Sequence, residues 1–200
     1  LKALSRAEAR SNELLKIDKN TILFGGGGGD APGINTAYAE VIRQAHRAGL
    51  KVLGVKGGLF GLKQKGDIKE VLMYQPPQDM EALHQLHFSG SAATGSERYD
   101  PFKELRNKDK EVERHEDIER IVNRVSRAKA IILFGGDDHY KLGVQLRRLL
   151  RERGIDTIVQ MIPKTIDGDV GVTQSLGFDT AWNVARRDFL AASRSAKTHK

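Results

Sequence analysis

Thr157-Ile158-Val159-Gln160-Met161-Ile162-Pro163-Lys164-Thr165-Ile166-Asp167-Gly168-Asp169-Val170 joins an apolar, β-branched run to a short loop dense in charge. The first six residues read as a buried strand, and Pro163, which has no N–H to give a ladder, reads as its end. In an open parallel sheet, ligands collect just outside the carboxyl ends of strands, so the loop that follows is placed for chemistry. Asp167 and Asp169 alternate along an extended loop and fall on the same side, with the Thr165 hydroxyl and the Lys164 ammonium beside them. One carboxylate suits proton acceptance, and the other suits holding a metal or orienting its partner. The Asp167-Gly168 pair fits an Asx-type turn equally well.

Two further stretches share this strand-then-loop grammar. Thr21-Ile22-Leu23-Phe24 is a short buried strand running into Gly25-Gly26-Gly27-Gly28-Gly29-Asp30-Ala31-Pro32-Gly33-Ile34-Asn35, which opens an amphipathic helix. Strand, glycine loop and helix make a phosphate site, because bare backbone can approach an anion and the helix N-terminus points free N–H groups at it. A flexible connector is the alternative. The lysine of a Walker A loop is missing, and no acidic residue sits where a dinucleotide fold needs one. Ala130-Ile131-Ile132-Leu133-Phe134 is the clearest strand in the chain and leads into Gly135-Gly136-Asp137-Asp138-His139-Tyr140 and a helix through Leu142, Val144, Leu146 and Leu149. Asp137 and Asp138 suit an N-cap, or Mg²⁺ held at a strand's carboxyl end.

Between these lie a strand at Lys51–Val55, a glycine-broken loop from Lys56 to Leu62, and a helix from Pro77 to His87. The small-residue loop Gly90–Arg98 allows Arg98 to bridge phosphates through its planar fork, although alone it reads as a surface turn. Lys103–Arg114 reads as a solvated connection, Glu116–Ala128 as an amphipathic helix and Thr180–Ala192 as another. The pattern predicts an α/β fold: a three-layer, Rossmann-like parallel sheet with helices on both faces. Residues 1–18 form an N-terminal peripheral helix, 19–162 a phosphoryl-donor-binding α/β domain, and 163–200 a catalytic loop with the first helix of a further domain.

Composition narrows the function. With 39% hydrophobic and 30% charged residues, the 200-residue chain is globular in character, and the absence of cysteine fits a reducing cytoplasm. No run is long enough for a membrane span, and the N-terminus has no apolar signal centre. A net charge of +7 suits anionic partners. No basic stripe is interleaved with aromatics, so phosphorylated small molecules are expected and nucleic acid is not.

Gly28 to Asn35, Gly135 to Asp138 and Pro163 to Asp169 resemble, in order and loop context, the phosphofructokinase family. Gly177-Phe178-Asp179-Thr180-Ala181 adds a fourth match and Gly90 to Arg98 a looser one. The resemblance leans to the pyrophosphate-dependent branch, because Asp138 and Lys164 stand where ATP-dependent members usually carry glycine. It implies a cytoplasmic, glycolytic phosphotransferase, homo- or hetero-oligomeric, moving a phosphoryl group from pyrophosphate to the 1-hydroxyl of fructose 6-phosphate with Mg²⁺. An ATP-dependent member and a non-catalytic regulatory paralogue are the alternatives.

On that resemblance Asp167 is the base, Thr165 and Ile166 line the sugar and the moving phosphoryl group, and Asp169 supports base and metal. Asp137 binds Mg²⁺. Gly28, Gly29, Gly136, Asp138 and His139 form the donor site, and Arg98 and Lys164 neutralise charge. Three features depart from the family. His139 replaces a serine or threonine; Ser91 and Glu97 replace a glycine and a small residue. The later methionine-glycine-arginine motif and sugar-phosphate arginines are missing, which, with a first residue other than Met, suggests an N-terminal half.

Overall fold

The structure, a computed structural model, describes residues 16–66, 72–74, 80–88, 90–103, 108–171 and 174–198. Most of the expected N-terminal helix lies outside them. Seven strands, β1 (Thr21–Gly27), β2 (Lys51–Val55), β3 (Leu72–Tyr74), β4 (Ser96–Glu97), β5 (Ala130–Gly135), β6 (Ile158–Thr165) and β7 (Leu176–Gly177), form a sheet ordered β3-β2-β1-β5-β6-β7, with β4 against the end of β1. All pairings are parallel except β2 with β3. The antiparallel β3 was not legible, since the sequence around it lacks a clear period.

Alternation along the strands sends side chains to two cores. Leu23, Leu53, Ile131 and Leu133 face one way, against helices α2 (Leu59–Lys63), α4 (Lys108–Val125) and α5 (Asp137–Glu152). Ile22, Phe24, Val52 and Phe134 face the other way, against α1 (Ile34–Arg47) and α3 (Met80–Phe88). This is the expected α/β sandwich with helices on both faces. Tyr38 of α1, fully buried, sits edge-on between Phe24 at 4.8 Å and Phe134 at 4.9 Å, a cluster in which each ring contributes about 1.5–3 kcal/mol by burial.

Several boundaries differ from the sequence reading. Gly25, Gly26 and Gly27 are not loop but the buried end of β1. Their missing side chains are packing space: a Cβ on Gly26 would sit 2.6 Å from the Tyr38 hydroxyl, and one on Gly27 would meet His139. Pro163 does not end β6, which continues through Lys164 and Thr165. Among the described residues, Ile158–Pro163 pairs only with β5, and an open edge tolerates a residue without an N–H. For the same reason β6 is not fully buried, and Ile158 is exposed.

The charge-dense segment 108–114 is the first part of α4, whose outer face is solvated while Ile121, Val122 and Val125 pack inward. Part of the Lys56–Leu62 loop is the short α2, and the last helix, α6, spans Phe178–Thr198. α3 begins at Met80, with residues 75–79 outside those described. Among the described residues, no helix is long and apolar enough to cross a membrane.

Candidate active site

Connections that leave β1 and β5 in opposite directions define where a ligand can sit. β1 passes through α1 to β2 on one side, and β5 passes through α5 to β6 on the other, with α1 and α5 on opposite faces. Neighbouring strands whose exits diverge leave a crevice at their carboxyl ends. A cleft of about 1070 Å³ opens there, lined by the residues expected to act as base, donor site, sugar contact and metal ligand, but not by Ser91 or Glu97. Gly28 and Gly29 come from the end of β1, Arg98 follows β4, Gly136 to His139 turn from β5 into α5, and Lys164 to Asp167 with Asp169 end β6. The helix that presents its N-terminus is α5, not the expected α1, whose first-turn residues do not line the cleft. The α1 residue Asn35 instead ties down the small-residue loop, donating to the Ser91 carbonyl at 2.7 Å and accepting from the Ala93 N–H at 2.9 Å.

Gly136, in extended conformation, is the N-cap of α5, so neither Asp137 nor Asp138 has the capping role considered above. Both fall in the first turn, where the helix dipole favours negative charge. Asp137 pairs with Lys141 one turn on. The Thr165 hydroxyl, nearly buried, accepts the Asp167 backbone N–H at 3.0 Å and lies 3.4 Å from its carboxylate, which fixes the loop that presents Asp167. Gly168 adopts a left-handed φ of 68°, and a Cβ there would strike the Phe178 ring at 2.8 Å, so α6 closes against the loop.

Lys164 is only 2% exposed. Its ammonium donates to the Gly27 carbonyl at 2.9 Å and to the Gly29 carbonyl, pinning the loop after β1 from beneath. Burial pushes its pKa down, opposed by the charge of Asp30. His139 projects from α5 across to β1, its ring seated over Gly27 and Gly135. Burial, and then the nearby Lys164 charge, lower its pKa and favour the neutral imidazole, with the Asp138 and Asp100 charges and the Glu97 backbone working the other way.

The cleft also contains residues that sequence reasoning passed over. Asp30 accepts the Ala92 N–H at 3.1 Å. At another part of the wall Asp117, buried, accepts from Tyr99 at 2.8 Å and pairs with Lys63 at 3.1 Å and Arg120 at 2.5 Å. Burial works against its charge, but these donors outweigh it and hold its carboxyl below the usual range. The only available signal was that Asp117 falls on the inward side of an amphipathic helix, where acids are rare.

Among the described residues no three His, Asp or Glu side chains form a metal cage. Asp137, one of several carboxylates on the cleft wall, would suit Mg²⁺, which keeps most of its waters and binds through one or two carboxylates with substrate phosphates.

Sheet order, divergent crossovers and a charge-lined crevice at the switch point describe a doubly wound α/β protein with a site of phosphate-binding character. A family model for phosphofructokinase matches residues 21–200. ATP-dependent 6-phosphofructokinase of Vibrio vulnificus is 33% identical over 157 residues, covering 78% of this chain and 42% of that protein. Pyrophosphate–fructose 6-phosphate 1-phosphotransferase of Dictyoglomus thermophilum is 30% identical over 176 residues, covering 86% and 44%. Among solved structures, phosphofructokinase from Saccharomyces cerevisiae superposes with a TM-score of 0.69 at 20% identity, over 90% of this chain and 24% of that one. A pyrophosphate-dependent phosphofructokinase from Nitrosospira multiformis gives 0.67 at 22%, over 88% and 43%. This chain belongs to the phosphofructokinase family and spans under half the length of these relatives.

Proposed function

We propose that the chain carries the donor and catalytic loops of a cytoplasmic, glycolytic phosphofructokinase that transfers a phosphoryl group from pyrophosphate to the 1-hydroxyl of fructose 6-phosphate. The observation that carries this reading is the convergence of three loops, after β1, β5 and β6, on one crevice. Asp167 takes the proton from the attacking hydroxyl, its loop set by Thr165. Ile166, half exposed, and Thr165 flank the acceptor, and Asp169 supports the base. Gly28 and Gly29 let the donor approach bare backbone, with Gly136 doing the same opposite. Arg98, exposed at the rim, spreads the charge that builds on the transferring oxygens. Positioning and electrostatics are the main requirements, since phosphoryl transfer asks little covalent work of the protein.

Asp137, with the donor's own oxygens, would hold Mg²⁺, which supplies charge neutralisation at the phosphates when bound. Preference for pyrophosphate follows from Asp138 and Lys164. The Asp138 carboxylate repels the further phosphate of a nucleotide, while Lys164 holds the floor beneath a short donor. The alternative, an ATP-dependent enzyme, is favoured by the 33% identity to the Vibrio protein. The boundary between 162 and 163 divides roles, with β6 running through it.

Calorimetric titration with Mg-pyrophosphate and Mg-ATP tests the donor. Tighter binding of pyrophosphate is expected, and preference for ATP overturns the assignment. In an enzyme that contains this chain, Asp167→Asn is expected to lower transfer by ~10²–10⁴ with donor affinity unchanged. Near-normal turnover would remove Asp167 from the base role.

A further inference from the structure

We propose that His139 sets the length of the phosphoryl donor, its imidazole filling the part of the crevice into which any group beyond two phosphates would extend. This rests on the donor-site reading above and deepens it. β1 and β5 meet at the switch point, and each ends in glycine where the ring lies. A Cβ on Gly27 would sit 1.8 Å from Nε2, and one on Gly135 would sit 2.2 Å from the His139 Cβ. The ring thus occupies the volume that both strand ends leave open. Gly28 is next to it, with its would-be Cβ 3.7 Å from Nδ1 and 3.9 Å from the Lys164 ammonium.

Three of its neighbours are therefore fixed points: β1's backbone, β5's backbone and the buried Lys164. A ring held on several sides cannot swing aside cheaply for a larger ligand. A serine or threonine at the same first-turn position of α5 would leave that volume empty. The cleft of about 1070 Å³ extends well past the glycine loop toward Tyr99 and Asp117, so space for a nucleoside exists. The imidazole lines the cleft beside Gly28, at the strand ends. Exclusion by bulk on a rigid support is discrimination against the wrong ligand, not improved contact with the right one.

Calorimetric titration of the 200-residue chain with pyrophosphate and with a non-hydrolysable ATP analogue, Mg²⁺ present, tests this in wild type, His139→Ser and His139→Ala. Wild type is expected to favour pyrophosphate. Both replacements are expected to raise the ratio of nucleotide to pyrophosphate affinity at least ~10-fold. An unchanged ratio in folded variants, or equal affinity for both ligands in wild type, overturns the role of His139. Wild type binding neither ligand overturns the donor-site reading itself, a different result. Circular dichroism establishes folding; if neither variant folds, the wild-type His139 imidazole resonances decide. They are expected to shift on adding pyrophosphate, and their constancy at saturation overturns the proposal.

Discussion

Alanine at Gly27 is expected to destabilise the protein only while His139 is present. The added Cβ would lie 1.8 Å from Nε2 and 2.1 Å from Cδ2 of the ring, far inside ordinary contact. A shift of a few tenths of an ångström cannot relieve that overlap, so the imidazole must leave its seat or the ends of β1 and α5 must part. Overpacking of this kind costs about 1–3 kcal/mol. With His139→Ala the obstacle is gone. Gly27 has an ordinary negative φ, so the alanine then gains by restricting the unfolded chain, worth about 0.4–1 kcal/mol. The two backgrounds should differ by about 1.5–4 kcal/mol in the effect of Gly27→Ala, the sum of those two terms. Urea unfolding of the four proteins, followed by far-ultraviolet circular dichroism, closes the double-mutant cycle. Equal cost of Gly27→Ala in both backgrounds, within ~0.5 kcal/mol, would refute the packing of His139 over β1.

Asp117→Ala is expected to cost about 2 kcal/mol, less than a fully buried pair, because Lys63 and Arg120 keep 22% and 25% of their side chains exposed. Its lowered carboxyl pKa contributes stability present above the unfolded value and lost as pH falls through the folded one. The wild-type loss of stability below about pH 4 should therefore be shallower in Asp117→Asn, and parallel acid-unfolding curves would contradict this. Lys164→Met is expected to release the loop after β1 and weaken pyrophosphate binding more than ~10-fold, since hydrogen bonds from a charged donor contribute about 1.5–3 kcal/mol. Undiminished affinity would show that the loop holds itself. α6 exposes Trp182 and Phe189, at 63% and 73%, so this chain alone should self-associate with concentration, and Trp182→Ser with Phe189→Ser should reduce it. Sedimentation velocity measures this, and identical behaviour of the two proteins would place the contact elsewhere.

Much was legible from local pattern. The strand runs Ile22–Phe24, Lys51–Val55 and Ala130–Phe134 are short, apolar and β-branched, and each is followed by glycine or a turn; period and punctuation are properties of neighbouring residues. The same holds for the loops, since glycine, aspartate and lysine clustered after a strand declare a polar terminus whatever the rest of the chain does. That they converge follows from the parallel pairing of β1, β5 and β6, whose loops all leave at the same end of the sheet.

Contacts made at long sequence separation were a different matter. The glycines of β1 looked like a loop because what they make room for lies in other elements: the Val55–Gly58 backbone at Gly25, Tyr38 at Gly26 and His139 at Gly27. Pro163 looked like a strand end because nothing nearby tells that β6 has an open edge. Lys164 looked like a free cation at a phosphate, yet its ammonium rests on carbonyls 137 and 135 residues away. Burial of Asp117 needed α2, α4 and the segment after β4 to meet around one carboxylate. Local sequence determined which elements form and which residues reach the strand ends. Only tertiary packing decided how those side chains are spent, because volume and hydrogen-bond partners are set by residues that the chain brings together last.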